Sequence, residues 1–310
     1  VLSLEAPLVA VVWQWLLARA HHVHLFPSMY AGLALAVWGI YLVDRTLDAR
    51  RARAEVALGV RHEFYRRHPR VIVFFLLPLI AGVLVWLALW HIPLGSLFIC
   101  VGVGMMCAFY LAAFAGGHVQ SLGALVVTLF GLASIFSVAL LPVAQGTRAW
   151  LSVLIMAGMW AVFLRHVRGV GVSRIAKEPV AAMLIAMGCS AGVWFFTSVD
   201  GPMGSGLEMV LMWGVFFCNL AGISAAERAH DGGQGDAHSL AKLWPGLARW
   251  YLLLPCALVA LCVITCGPLA EAVLVSACAM AVLWLVRGRL SPEMYRALAD
   301  VCLLLPVVPR

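Results

Sequence analysis

Val71-Ile-Val-Phe-Phe-Leu-Leu-Pro-Leu-Ile-Ala-Gly-Val-Leu-Val-Trp-Leu-Ala-Leu-Trp90 runs for 20 residues without one charged or amide side chain. A helix of that length is about 30 Å long, the thickness of a bilayer's hydrocarbon core. Lipid offers no hydrogen bonds to a backbone, so an isolated apolar segment there must be helical. Comparable runs lie near 6–20, 29–44, 94–115, 121–142, 149–166, 179–199, 207–224, 249–266 and 269–286. The sequence therefore predicts an all-α, polytopic transmembrane helix bundle of about ten spans, with residues 1–310 as one transmembrane domain. The stretch 294–307 is shorter and carries Arg296 and Asp300, which leaves it open between a tilted eleventh span and an interfacial helix.

Composition agrees. Apolar residues make up 64% of the chain and charged ones 11%, less than half the share of about 25% that gives a soluble domain its polar surface. Pro78, Pro142 and Pro255 fall inside apolar runs, where neighbouring helices can satisfy the carbonyls they free. The start, Val1-Leu2-Ser3 with Glu5, has no basic region or small-residue cleavage site, so no signal peptide is expected. Cys100, Cys107, Cys189, Cys218, Cys262, Cys266 and Cys278 fall within spans and read as small buried apolar residues, without disulfide or metal spacing. His21, His22 and His24 form a polar connection between the first two spans, with no acid or cysteine beside them in sequence to complete a metal site.

Basic residues are segregated. The connection 45–70 holds Arg45, Arg50, Arg51, Arg53, Arg61, Arg66, Arg67 and Arg70. Arg165, Arg168, Arg174 and Lys177 follow the sixth span, Arg228, Lys242 and Arg249 the eighth, and Arg287, Arg289 and Arg296 the tenth. Eighteen of the 21 Lys and Arg thus fall on one side, which the positive-inside rule makes cytoplasmic, as in a bacterial inner membrane. The net charge of +7 follows from this topology and from attraction to anionic lipid, and gives no reason to expect nucleic acid.

Carboxylates at the ends of apolar spans are candidates for function because their placement near lipid is costly. Asp44 and Asp48 sit four apart at the end of the second span, on one face of a continuing helix. Glu227 and Asp231 repeat that spacing at the end of the eighth, after Asn219 and Ser224. Paired hard oxygen donors on two helices suit Mg²⁺ shared with a diphosphate. An ordinary interface in which these acids pair with neighbouring arginines is the alternative.

In these residues the chain resembles the UbiA superfamily of intramembrane prenyltransferases. Asp44-Arg45-Thr-Leu-Asp48 is similar to the D-R-x-x-D core of its first aspartate-rich motif, and Ser224, Glu227 and Asp231 fall on the acidic positions of its second. Arg61-His62-Glu63-Phe64-Tyr65-Arg66-Arg67-His68 and Lys177-Glu178 resemble features of a divergent bacterial branch. Ile40 and Tyr41 stand where the family usually has Asn and Asp, and Ser224 replaces an acid. Between Asp48 and Glu227 lie 178 residues holding six predicted spans where ordinary members have four, so a two-span insertion is expected within 91–148, at the edge of the bundle.

The resemblance implies Mg²⁺ held by Asp44, Asp48, Glu227 and Asp231, with Arg45, Arg174, Lys177, Asn219 and Ser224 toward an isoprenyl diphosphate. The implied reaction is ionisation of that diphosphate for prenyl transfer or terpene cyclisation. Loss of three metal-facing positions, with small-residue faces such as Gly102/Gly104, keeps a second expectation open. In it the chain is a non-catalytic homologue that binds an isoprenoid or pigment, or packs with membrane-protein partners.

Overall fold

The computed structural model describes residues 4–51, 64–65, 67–114, 176–200, 206–230 and 239–307. The predicted spans 121–142 and 149–166 lie outside the described residues, as do Asp231 and Arg174. Every regular element among the described residues is helical. In chain order they are α1 (Glu5–Ala20), α2 (Pro27–Arg51), α3 (Pro69–Trp90), α4 (Leu94–Phe114) and α5 (Lys177–Asp200). After these come α6 (Gly206–His230), the one-turn α7 (Leu240–Leu243), α8 (Leu247–Thr265), α9 (Pro268–Val286) and α10 (Pro292–Leu304).

Four of these, α3, α6, α8 and α9, are long and apolar enough to cross a membrane, as in an integral membrane protein. The residues that decide the fold form α3, which stands at the edge of the bundle with Phe74 70% and Trp90 76% exposed. Those rings are stable there only against lipid or another apolar surface. Pro78 has no N–H for its own turn of α3 and crowds the carbonyl four residues back. The helix widens just before it, where the Leu77 N–H bonds to Ile72 O, five residues earlier.

The centre of the bundle is α6, which packs against α5, α7, α8, α9 and α10. On α1 the buried residues are Pro7, Val9, Ala10, Trp13, Gln14, Leu17 and Ala18, a three-and-four spacing that makes one stripe facing the core. On α9 the buried stripe mixes large side chains, such as Leu269, Met280 and Trp284, with small ones, Ala270, Ala272, Ser276 and Ala277, where a neighbouring backbone can approach closely. Gly222 on α6 is a point of close approach. A Cβ there would lie 2.8 Å from both the Tyr251 and the Tyr295 hydroxyl oxygens.

The segment 294–307 resolves into α10 and a short 3₁₀ turn. Ser291 Oγ caps α10 by accepting the Met294 N–H at 3.2 Å, and Pro292 opens its first turn. At 13 residues, about 20 Å, it is too short to cross a bilayer alone. Tyr295, Ala299, Cys302 and Leu303 form its buried stripe. It starts beside the motif-bearing end of α6 and reaches the middle of α1, where the Trp13 indole N–H donates to Leu303 O at 3.0 Å.

The helix α4 packs along α5 and shares an apolar cluster with Ile40 of α2, because its small and sulfur side chains, such as Cys107, admit close contact. Two expectations are corrected. Cys266 and Cys278 are exposed, because Cys266 sits in the α8–α9 turn and Cys278 on the outer face of α9. His21 does have an acidic partner: its Nε2 lies 2.9 Å from Glu208 Oε2, which the antiparallel return of α6 brings back to the end of α1.

Candidate functional site

Asp44, Arg45 and Asp48 lie in the last turns of α2, and Asn219, Ser224 and Glu227 in the second half of α6. Lys177 opens α5, and Asp231 follows the last residue of α6 in sequence. Arg296 of α10, an element that the sequence left open, donates from Nη2 to Glu227 Oε1 at 3.0 Å. Arg45 lies over the Tyr41 ring on α2, 5.9 Å from its centroid.

Two other motif residues are held by local structure. The Ser224 hydroxyl is 2.7 Å from Ser239 Oγ and accepts the Ala241 N–H at 3.3 Å. Glu178, only 5% exposed, accepts the Leu240 N–H with both carboxylate oxygens, at 3.0 and 2.9 Å. Together they fix the start of α7 against α5 and α6. This satisfies backbone donors that would otherwise be orphaned at a helix start. Asn219 is 4% exposed, and its Nδ2 has no hydrogen-bond partner among the described residues.

The aromatic wall beside this site belongs to α8, α9 and α10. Tyr251 donates its hydroxyl to Cys218 O at 2.9 Å, and its ring lies 4.2 Å from that of Trp284. Arg287 lies over the Trp284 ring, with Cζ 4.1 Å from its centroid, and the Tyr295 ring meets Trp284 edge-on at 6.1 Å. Trp213 and Phe217, on α6, stack in parallel at 5.4 Å, and Trp213 Nε1 donates to Pro179 O at 3.0 Å.

Carboxylates are the hard oxygen donors that Mg²⁺ takes, so the acidic quartet fits the ion in chemistry. Glu227 fits it in geometry only by releasing Arg296. Among the described residues no three His, Cys, Asp or Glu converge on a metal-sized position.

Arg296 is the site residue that sequence reasoning missed. Ser291-Pro292-Glu293 is a helix-start signature, and the Tyr295, Ala299, Cys302, Leu303 stripe fixes the face of the helix that follows. Arg296 then falls on one flank of that stripe, which is the signal that would have found it.

No known family, curated protein or solved structure matches this chain.

Proposed function

We propose that this chain is a UbiA-like membrane protein of about ten spans that binds an isoprenyl diphosphate at the basic, cytoplasmic end of its bundle and ionises it. The observation that supports the reading is that Glu227, in the second acidic motif, is held at the end of α6 by an arginine, Arg296 of α10, so that an acid and a cation stand together at the end of an apolar helix.

On this reading Asp44, Asp48, Glu227 and Asp231 hold Mg²⁺, which supplies positive charge to the departing diphosphate. Arg45, Lys177 and Arg174 add fixed cations at the same mouth, stabilising negative charge as it develops on the phosphate oxygens. Asn219 offers a buried amide donor with no partner among the described residues. Surrounding helices exclude water, so that the carbocation is captured by an acceptor or by its own chain. Trp213 and Phe217 offer ring faces of the kind that attract such a cation.

A second reading is favoured by a specific observation. Glu227 is paired with Arg296 and Ser224 with Ser239, as expected of a motif retained as a structural tie in a non-catalytic isoprenoid-binding or helical subunit. Mg²⁺-dependent pyrophosphate release from a panel of prenyl diphosphates separates the two. The catalytic reading expects release by the unmodified protein, with Asp44→Asn and Asp231→Asn lowering it at least 100-fold while unfolding midpoints hold. No release across the panel, with lowered midpoints in both variants, establishes the structural role instead.

A further inference from the structure

We propose that the outer face of α8 and α9 binds an anionic phospholipid, its phosphate held by Arg249, Arg287 and Arg289 and its acyl chains lying along the apolar stripes of the two helices. The site stands apart from the acidic motifs, and the inference is independent of how those motifs work.

The rim of the site is built by two short stretches of sequence. Arg249-Trp250-Tyr251 lies at the start of α8, and Trp284 is followed by Arg287 and Arg289 at the end of α9. Tyr251 and Trp284 are both buried, and their rings lie 4.2 Å apart, which pins the start of one helix against the end of the other. The three arginines, all exposed, therefore stand at one edge of the helix pair. Arg287 is held in place, because its Nη1 donates to Trp284 O at 2.9 Å and its guanidinium lies over the Trp284 ring. Stacking on a ring orients a guanidinium without using its N–H donors, so most of those of Arg287 remain for a ligand. Arg249 lies over Trp250 in the same way, with Cζ 5.4 Å from the ring centroid. Among the described residues none of the three arginines is in an ion pair, whereas Arg296 on α10 meets Glu227. Glu293, the nearest acid in sequence, is exposed and likewise makes no ion pair among the described residues.

Beyond this rim the exposed side chains turn apolar, with Leu253 on α8 and Val282 and Leu285 on α9. Both helices give their inner faces to α6, so these residues look away from the bundle. The exposed indole of Trp250 stands at the junction of the two regions, as aromatic side chains do at the level of lipid headgroups. Cations without acidic partners at the edge of an apolar face fit a molecule with a negative head and an apolar tail. A free phosphate would use the head region alone and leave the apolar stripes uncovered. Arginine also suits this head better than lysine, because its planar fork can take two phosphate oxygens at once. General attraction of a basic surface to anionic lipid depends on no particular arginine, and this geometry does.

The test uses the full chain in a neutral detergent, with dioleoyl phosphatidylglycerol and dioleoyl phosphatidylcholine added at equal concentration and the retained lipid counted by native mass spectrometry. Unmodified protein should retain phosphatidylglycerol in preference to phosphatidylcholine. Arg249→Gln and Arg287→Gln should each lower that preference about fivefold, the usual effect of one cation at a charged lipid surface. Arg287→Lys should lower it less, since the charge stays and the fork is lost. Arg287 also holds a carbonyl of α9, but Arg249 makes no hydrogen bond among the described residues, so Arg249→Gln separates lipid binding from folding. Arg70→Gln removes an exposed charge from the start of α3 and should leave the preference unchanged. Excess inorganic phosphate should not displace the lipid. Equal losses in Arg70→Gln and Arg249→Gln would reduce the effect to general surface charge and overturn the site. Displacement by inorganic phosphate, or no preference in the unmodified protein, would overturn it as well.

Discussion

Glu178 lies buried in the first turn of α5, and both of its oxygens accept from one backbone N–H, that of Leu240. A buried carboxylate needs donors, and a helix start adds favourable partial charge to the hydrogen bond. Glu178→Ala should therefore lower stability by about 1–3 kcal/mol, and Glu178→Gln, which keeps an acceptor oxygen, by less. Thermal unfolding in detergent measures both. An unchanged midpoint in Glu178→Ala, with binding of Mg²⁺ and pyrophosphate lost, would instead move Glu178 into the ligand site. Sequence reading saw Lys177-Glu178 as a pair and gave the basic member the interest. Its acidic member's partner lies 62 residues away, and nothing local announces such a contact. Glu208 is the same case at the other end of the bundle, 187 residues from His21. Residue types and spacings were legible; which acid meets which base depended on helix packing.

Among the elements, α10 shows both why the sequence was ambiguous and how the ambiguity resolves. A 13-residue amphipathic helix with Arg296 and Asp300 satisfies neither the length of a span nor the polarity of a loop. Its cap and buried stripe were readable, but its depth was set by α6 and α1. The approach to α6 depends on Gly222, where the Tyr251 and Tyr295 hydroxyls occupy the space a side chain would take. Tyr251 cannot easily retreat, because its ring is fully buried and its hydroxyl is bonded to Cys218 O. Gly222→Ala should thus destabilise by about 1–3 kcal/mol, the usual effect of overpacking. It should also shift Arg296 relative to Glu227. Unfolding midpoints of Gly222→Ala alone and with Tyr295→Phe, which removes one of the two crowding oxygens, test this. If the double variant recovers none of the loss, crowding by Tyr295 is not its cause.

For the whole molecule, helical class and membrane character follow from apolar runs whose length only a bilayer requires. Pairing of helices does not, because α1, α5 and α9 are apolar or small on several faces and the sequence periodicity cannot choose among partners. Orientation can be tested with a residue the protein already has. Cys266 is exposed in the turn between α8 and α9, at a positive φ of 44° followed by Gly267 at 140°. Both flanking helices are apolar enough to cross a membrane, and Lys242, Arg249, Arg287 and Arg289 cluster at their opposite ends. The positive-inside rule puts those ends in the cytoplasm and the Cys266 turn outside. Cys256 and Cys278 are also exposed, but midway along α8 and α9, where lipid rather than water would meet them. In a variant retaining Cys266 alone, a membrane-impermeant maleimide should label intact cells, and a single cysteine introduced in 45–70 should react only after the cytoplasmic face is opened. Labelling of Cys266 only after opening would invert the bundle. Labelling of both from one side would place an even number of crossings between residue 70 and residue 266, and the two acidic motifs would no longer be expected at the same face.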